Sequence, residues 1–329
     1  VFFRSVMKDG SLGLGESYML GQWDCKQLDE FFNRLLSHGI DKRLMDLAPV
    51  KGLLQIARQK FTNLQSKQRS NQVALAHYDV GKDVFEAMLD TTMSYSCGYW
   101  ASSDTLQEAQ NAKLELVCKK LELAPGDHVL DIGCGWGSFA GYAAEHYGVT
   151  VTGITISQEQ LAYAKDKYKH LPVSFYLMDY RELQGTYDKI VSIGMYEHVG
   201  QKNYRTYFQK VENVLKDNGL FLLHTIGTQD TVPYTDEWID RYIFPNGRIP
   251  TARELVEALN DRFLIDDWHS FGQDYDRTLM AWSDRFDYSW SYLCEKYDDR
   301  FYRMWHYYLM SSAAYFRSRQ GQLWQIVLT

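Results

Sequence analysis

The sequence has 329 residues, 45% of them hydrophobic and 23% charged, enough for one large globular domain with an appendage or for two domains. A net charge of −7 argues against nucleic acid as a partner, although a local basic patch can still contact an anionic membrane. The five cysteines form no C-x-x-C pair, which is typical of a reduced cytoplasmic protein, and no run of about 18 apolar residues predicts a membrane span.

Residues 1–57 are predicted to form a small, mainly helical unit. The glycine-rich stretch from Gly10 to Met19 lacks a preceding buried strand, so we interpret it as a structural turn that leads into a helix rather than a phosphate loop. A helical core face is predicted from the spacing of Leu28, Phe31, Phe32, Leu35 and Leu36.

Residues 51–70 carry five basic residues and no acidic one, on a pattern with one apolar helical face. Such a helix can lie on an anionic bilayer, and it can equally be a linker that packs two domains together with a solvated basic face. We therefore predict a basic linker helix at 58–70 and leave both roles open.

From residue 71 onward, strands and helices alternate. Met93–Trp100 is too rich in aromatic and small residues for a regular helix and is predicted to be a loop over a site, and an amphipathic helix over Leu106–Leu123 follows it. The predicted strands are His128–Ile132, Val149–Ile156, Val173–Met178, Tyr187–Ile193 and Gly219–Leu223, with Phe263–Ile265 and Leu323–Leu328 as two final additions. This alternation predicts an α/β fold with a parallel sheet and helices on both faces.

A glycine turn follows the first strand. Gly133, Gly135 and Gly137 alternate after the buried run, and Asp131 lies two residues before the first glycine. Alternate glycines let the backbone approach a ligand closely, and the helix that begins beyond them offers free N–H groups. The spacing is not that of a dinucleotide site, and the carboxylate favours the cationic groups of S-adenosylmethionine over a pyrophosphate. A plain tight turn in an α/β core is the alternative.

Polar residues at the carboxyl ends of the other strands mark the same edge of the sheet, where ligands of such folds bind. They are Thr155, Asp179, Glu197 and His224. The second strand carries no carboxylate for ribose hydroxyls, which further disfavours a nicotinamide enzyme, and Gln160 is the candidate substitute.

Glu197, His198 and His224 are candidates for general acid–base chemistry and also for metal binding. Because no cysteine or histidine cluster with metal-ligand spacing accompanies them, we expect no metal. His224 can also be an ordinary buried histidine at a strand end. Cys97 has no motif that supports a nucleophile, so a buried packing thiol is its default interpretation.

Together, several segments resemble the cyclopropane-fatty-acyl-phospholipid synthases. They are Met93–Trp100, Asp131–Gly137, Gly153–Ser157, Glu197–Gly200 and His224–Gly227. Leu12–Tyr18 and Asn63–Lys67 resemble the bacterial phospholipid-acting branch, which carries an N-terminal domain. The resemblance implies a Rossmann-like class I methyltransferase sheet over 71–329 and a small helical N-terminal domain, which we expect to lack its first residues here.

The resemblance implies that the methyl group of S-adenosylmethionine is transferred to a cis double bond of a phospholipid acyl chain, and that loss of a proton to bound bicarbonate closes a cyclopropane ring. Positions that match the family's bicarbonate ligands are Cys97, Glu197, His224, Ile226 through its backbone, and Tyr275. Aromatic faces can stabilise the cation between the two steps, although core packing also explains the aromatic abundance from Trp238 to Trp324.

The resemblance also implies a set of cofactor contacts. They are Tyr95, Ser96, Gly133, Gly135, Thr155, Ile156, Gln160, Tyr180 and Arg181. We add Asp131 from its position alone, near the methionine amino group, and expect Tyr180 to pack on the adenine.

The implied partners are membrane phospholipids with unsaturated acyl chains. The family's N-terminal domain is linked to lipid binding and dimerisation, so we expect a cytoplasmic homodimer, peripheral at the inner face of the bacterial membrane. Two alternatives remain: a related methyltransferase giving a branched, hydroxylated or N-methylated product, and a lipid-binding module with an inactive cofactor fold.

Overall fold

The computed structural model describes residues 2–40, 80–229 and 235–329, where strands and helices alternate as predicted. The helices are α1 (Phe2–Met19), α2 (Leu28–Ser37), α3 (Lys82–Met88), α4 (Leu106–Lys120), α5 (Ser138–Tyr147), α6 (Gln158–Lys167), α7 (Tyr204–Val214), α8 (Glu237–Tyr242), α9 (Ala252–Leu259), α10 (Gln273–Leu293) and α11 (Asp299–Arg317). The strands are β1 (His128–Ile132), β2 (Thr150–Thr155), β3 (Val173–Leu177), β4 (Tyr187–Ile193), β5 (Leu215–Thr228), β6 (Ile265–Ser270) and β7 (Gly321–Leu328).

The helices of the sheet region begin where the sequence supplies caps. Thr105 and Glu108 form a reciprocal capping box at the start of α4, which satisfies N–H groups that a helix end otherwise leaves unpaired. The hydroxyl of Ser157 accepts from the Gln160 N–H at the start of α6. These local signals place the ends of helices that flank the functional edge of the sheet.

The seven strands form one sheet in the order β3-β2-β1-β4-β5-β7-β6. The pairings among β1 to β5 are parallel, as predicted, whereas β7 runs antiparallel to both β5 and β6. The fold is therefore the predicted α/β sheet with a mixed edge. The connections from β1 and β4 leave in opposite directions across the sheet, which opens the crevice where ligands of such folds bind.

β2, β3 and β7 differ from their predicted extents by one or two residues at an end, and β5 and β6 differ by more. β5 begins at Leu215, which pairs with Tyr187 of β4, and it runs to Thr228, well beyond the predicted Gly219–Leu223, because its last eight residues pair with β7. β6 begins at Ile265, where the predicted strand ends. It pairs with the edge of β7 that faces away from β5. Long-range pairing, which no local pattern reveals, sets both lengths.

The N-terminal helices pack on the same core as the C-terminal ones. α1 is kinked at Gly10, whose φ of 59° is left-handed, so the predicted structural turn is a bend within a helix. Tyr18, Met19, Leu28 and Phe32 are buried in one hydrophobic cluster with α10 and α11. The predicted basic helix at 58–70 and the boundaries at 57 and 70 lie outside the described residues.

One arginine joins three helices at the edge of this cluster. The guanidinium of Arg317 binds both carboxylate oxygens of Asp276 at the start of α10, with N–O distances of 2.9 and 3.0 Å. It also binds Asp29 of α2 at 2.7 Å. A bidentate pair of this kind fixes orientation as well as distance, so α2 is held in register with α10 and α11.

Across residues 2–40, 80–229 and 235–329, none of the helices combines the length and apolar character needed to cross a bilayer. All five cysteines are free thiols.

Candidate active site

A cavity of about 630 Å³ opens between the carboxyl ends of the central strands and the helices α1, α2 and α11. One half is polar and is bordered by the residues after β1, β2 and β4. The other half is apolar, and its side chains include Leu14, Phe32, Leu35, Leu36, Phe244, Pro245, Ile249, Tyr315 and Phe316. The cavity therefore has room for a polar ligand at the sheet and an apolar one beneath the N-terminal helices.

The glycine turn forms one wall of the polar half. Gly133, Gly135 and Gly137 all have left-handed φ values, of 78°, 53° and 86°. A Cβ on Gly133 would also stand 2.7 Å from Cγ of Met195, so a side chain is excluded by conformation and by space. Gly137 directly precedes α5. The turn has the conformation that the sequence predicts.

Asp131, at the end of β1, points a buried carboxylate into this half. The residue is 2% exposed, and its Oδ2 has no hydrogen-bond partner among the described residues. Burial raises the pKa of Asp131 to about 7, and the positive charge of Lys113 offsets part of that effect. A buried oxygen without a partner at a cavity wall is suited to a cationic ligand group.

The loop over Met93–Trp100 is held above the site by polar contacts. The Tyr95 hydroxyl lies 2.8 Å from that of Tyr308, and Ser96 Oγ accepts from Lys113 Nζ at 2.9 Å. Gln110 donates to the Ser96 carbonyl at 2.8 Å. The predicted loop is confirmed, since Met93–Trp100 forms no helix or strand, and Met93, Tyr95 and Ser96 border the cavity.

Lys113 was missed by the sequence reasoning. It is 1% exposed, and burial lowers its pKa to about 8. The available signal was two polar residues, Gln110 and Lys113, on the apolar face of α4, and such residues at buried helical positions indicate a site.

The far end of the polar half combines the ends of β2 and β3. Thr155 Oγ1 donates to Gln160 Oε1 at 2.9 Å, and both border the cavity beside Ile156. Tyr180 is 8% exposed and borders the cavity too. Arg181 does not border it: its guanidinium lies 4.8 Å from the Tyr180 ring centroid and pairs with Asp179 at 2.8 Å. Arg181 supports Tyr180 from behind.

Glu197 occupies the junction of the two halves. Its Oε1 accepts from the Ile226 N–H at 2.7 Å, and its Oε2 is buried with no partner among the described residues. Burial raises the pKa of Glu197 to about 7, although the Ile226 N–H favours the charged form. The backbone N–H that we expected to bind a ligand is therefore already engaged by Glu197.

His224 is buried at the same end of β5 and does not border the cavity. The side chain of Gln325 lies with Nε2 3.3 Å from Nδ1, so with this assignment the amide donates and the proton of the ring is placed on Nε2. Burial, with the charges of Lys113 and Lys120, lowers the pKa of His224 well below its ordinary value. The imidazole is neutral, with an unpartnered Nε2.

Cys97 and Tyr275 complete the predicted set. Cys97 is fully buried, with Sγ 3.1 Å from the Gly98 carbonyl oxygen, and burial raises its pKa well above the ordinary value. A neutral buried thiol is a poor nucleophile. Tyr275 borders the cavity and packs with Cys97 and Ile226 in one small cluster. Burial raises the pKa of Tyr275 also, which keeps its phenol a hydrogen-bond donor.

The predicted residues thus divide into two groups. Bordering the cavity are Tyr95, Ser96, Asp131, Gly133, Gly135, Thr155, Ile156, Gln160, Tyr180, Glu197, Ile226 and Tyr275. Cys97, Arg181 and His224 lie outside its lining. Within the three described ranges, no three histidine, cysteine or acidic side chains are grouped so that they could hold a metal ion.

Comparison with known proteins gives concordant results. The family model described as mycolic acid cyclopropane synthetase matches residues 65–326. The cyclopropane-fatty-acyl-phospholipid synthase of Escherichia coli (strain K12) is 50% identical over 328 residues, which cover 100% of this chain and 85% of that protein. Tuberculostearic acid methyltransferase UfaA1 of Mycobacterium tuberculosis is 31% identical, over 99% of this chain and 80% of that one.

A solved structure extends the likeness to the fold. The mycolic acid cyclopropane synthase CmaA1, complexed with SAH and CTAB, superposes with a TM-score of 0.74 at 31% identity, covering 78% of this chain and 97% of that chain. The predicted Rossmann-like methyltransferase fold is thereby confirmed.

Proposed function

This chain belongs to the mycolic acid cyclopropane synthetase family, and we propose that it is an S-adenosylmethionine-dependent cyclopropane-fatty-acyl-phospholipid synthase. The observation that carries this proposal is the two-part cavity, in which a polar half at the sheet opens directly into an apolar half under α1, α2 and α11. Such a cavity suits a polar methyl donor that faces an acyl chain.

The polar half fits S-adenosylmethionine through the chain's own residues. The unpartnered Asp131 Oδ2 is a suitable acceptor for the methionine ammonium, and Gly133 allows the close approach of the backbone. Thr155 and Gln160 offer polar groups at the end of β2 for the ribose, and Tyr180, supported by Arg181, offers a flat face for the adenine.

The apolar half fits the acyl chain. Most of the side chains that border it are aliphatic or aromatic, so they exclude water and do not react with a cation, although Asp236, Asn246 and Arg248 also border the cavity. Tyr275 and Phe316 stack there with centroids 4.5 Å apart. Because an alkene is a weak nucleophile, the protein must hold it in line with the methyl group, and aromatic faces near the reacting carbons stabilise the positive charge that develops.

The junction of the halves fits bicarbonate as the base. Glu197 Oε2 and His224 Nε2 are both buried without partners; one accepts a hydrogen bond, and the other donates one in the assigned tautomer. An anion with one hydroxyl and two acceptor oxygens would donate to Glu197 Oε2 and accept from Tyr275 at the cavity, and it would have to extend behind the lining to accept from His224. Ile226 contributes by orienting Glu197 through its N–H. Cys97 packs behind this group as a neutral thiol.

In the reaction, S-adenosylmethionine supplies an electrophilic methyl group and bicarbonate, when bound, accepts a proton. The C–S bond breaks as the alkene forms a bond to the methyl carbon, and loss of a methyl proton provides the electron pair of the second C–C bond. Glu197 and Tyr275, which border the cavity, would hold the acceptor of that proton near the new methyl group. The aliphatic and aromatic side chains that line the cavity keep water away from the cation.

The substrate arrives in a membrane, so we propose that the protein is peripheral at the inner face and works as a homodimer. The support is the run of five basic residues without an acidic one in 51–70 and the family's N-terminal domain. Co-sedimentation with anionic and neutral vesicles at low and high salt tests the membrane contact, and light scattering tests the dimer. Equal binding to both vesicle types contradicts the electrostatic contact.

Mass spectrometry of an unsaturated phospholipid incubated with the protein and methyl-deuterated cofactor tests the activity. We expect a product heavier by one methylene group, retaining two of the three methyl deuterons because one is lost to the base. Retention of all three identifies a methyl-branched or hydroxylated product, and an unchanged lipid overturns the proposal.

A further inference from the structure

Lys113 is the buried cation of the cofactor half, and no step of the proposed reaction uses it. We propose that Lys113, together with Ser96, forms the subsite for the methionine carboxylate of S-adenosylmethionine, opposite the Asp131 subsite for the ammonium. This inference rests on the proposed function and specifies how its cofactor is held.

The first argument is the environment of the ammonium group. Lys113 is 1% exposed and borders the cavity, and its hydrogen bond is to a neutral hydroxyl, Ser96 Oγ, at 2.9 Å. Burying an ammonium is costly unless an anion or several hydrogen bonds compensate for the lost water. The charges of Asp90 and Asp131 favour the charged ammonium from a distance, but Ser96 is its one direct partner among the described residues, so an anionic ligand in the cavity would supply the contact that is missing.

The second argument is the opposite charge in the lining of the same cavity, where Asp131 and Lys113 each favour the charged form of the other. Asp131 is 2% exposed, borders the same cavity, and has an Oδ2 without a partner among the described residues. One buried cation and one buried carboxylate, each short of a direct partner, match the two charges of an α-amino acid. The methionine end of the cofactor is such a zwitterion.

The contacts around Lys113 do not favour a purely structural role for it. The loop that carries Ser96 is already fixed to α4, because Gln110 donates to the Ser96 carbonyl at 2.8 Å. Nearby, the Asp90 carboxylate accepts from the N–H groups of Thr92 and Ser94 and is committed to its own turn. An apolar side chain at 113 would fill the same space without burying a charge.

The test combines a substitution in the protein with a deletion in the ligand. Binding of S-adenosylmethionine and of its decarboxylated analogue is measured by titration calorimetry on the full chain and on Lys113→Met. We expect the variant to bind S-adenosylmethionine about 10- to 100-fold more weakly, the range for a lost charge-assisted contact. Its affinity for the decarboxylated analogue should stay unchanged, since that ligand has no carboxylate to lose.

A matched control lies on the same helix. Lys119 is exposed and pairs with Glu115, so Lys119→Met removes an equal charge without touching the cavity and should leave both affinities unchanged. Equal weakening of both ligands by Lys113→Met would show a structural role and overturn the subsite. Unchanged affinity for both would overturn it as well.

Two further variants keep the test decisive if Lys113→Met does not fold. Lys113→Gln retains a donor without the charge, and Ser96→Ala retains the charge without the hydroxyl. Each should weaken S-adenosylmethionine selectively, and failure of both to discriminate between the ligands refutes the inference. Failure of the unaltered protein to bind S-adenosylmethionine or to modify the lipid rejects the proposed function itself.

Discussion

The two halves of the cavity are built in different ways. The polar half comes from short segments at strand ends, such as Asp131–Gly135, whose positions the parallel sheet determines. The apolar half comes from helices at opposite ends of the chain, because α1 and α2 meet α11 there. The contrast teaches that the chemistry depends on the sheet, whereas access of the substrate depends on a packing of distant helices.

The largest effect is expected where the halves meet. Glu197→Gln keeps an oxygen for the Ile226 N–H but places an amide donor where Oε2 accepts, so the turnover number should fall by about 10²- to 10⁴-fold. Cofactor affinity should not change. Steady-state kinetics with a parallel binding titration measure both, and Glu237→Gln on α8 is the control. Normal turnover in Glu197→Gln would show that Glu197 does not hold the proposed bicarbonate base.

The polar half should be sensitive to its backbone conformation. Gly133→Ala adds a Cβ at φ 78° and 2.7 Å from Met195, so the cofactor should bind about 10-fold more weakly. Gly185→Ala is matched in φ, at 89°, but its Cβ would meet only Tyr187, at 3.9 Å or more. The control should lose stability and keep its affinity for the cofactor. If both variants bind the cofactor alike, the close approach at Gly133 is irrelevant.

The pH dependence of kcat/KM should distinguish Glu197, at the junction of the two halves, from the other residues of the site. The raised pKa of Glu197, about 7, leaves the carboxylate protonated below neutrality, when it cannot accept the hydroxyl of bicarbonate. Asp131 also has a raised pKa of about 7, so the cofactor is kept saturating to hold that carboxylate charged. At fixed bicarbonate concentration, kcat/KM for the lipid should then rise about 10-fold from about pH 6 to a plateau near pH 8. In Glu197→Gln the residual activity should lose this limb. A limb that persists unchanged in the variant assigns the titration to another group.

The smallest effect is expected in the apolar half. Leu36→Ala removes aliphatic contact from the wall formed by α2, so KM for the vesicle phospholipid should rise about fivefold, the equivalent of about 1 kcal/mol. Cofactor affinity should be unaffected because the polar half is separate. Leu20→Ala, at a residue 61% exposed, is the control. A change in cofactor affinity in Leu36→Ala would contradict the separation of the halves.

Much of the polar half could be predicted because its signals are local. The strand from His128 to Ile132, the glycine turn and the cap at Ser157 each lie within a few residues, and the structure has all three. The parallel arrangement then brings Glu197 close to the ends of the central strands without further information.

What the sequence could not predict depends on contacts between distant segments. The Ile226 N–H is bonded to Glu197, and Gln325 sets the ring of His224, yet neither pairing leaves a local pattern. β7 is antiparallel and extends β5, which decides where Gln325 stands. The apolar half was missed for the same reason: the spacing of Leu35 and Leu36 shows that a core face exists but not what it faces.

The ion pairs of Arg317 with Asp29 and Asp276 have a consequence for chimaeras built from segments of related proteins. The pair with Asp29 joins positions 288 residues apart, so a graft of α2 that replaces Asp29 and keeps Glu30 leaves the guanidinium with Asp276 and the more distant Glu30, at 3.9 Å. Asp276 is next in sequence to Tyr275. A chimaera should therefore take α2 and the segment that carries Tyr275 and Asp276 from the same parent, because these two distant parts of the sequence pack together.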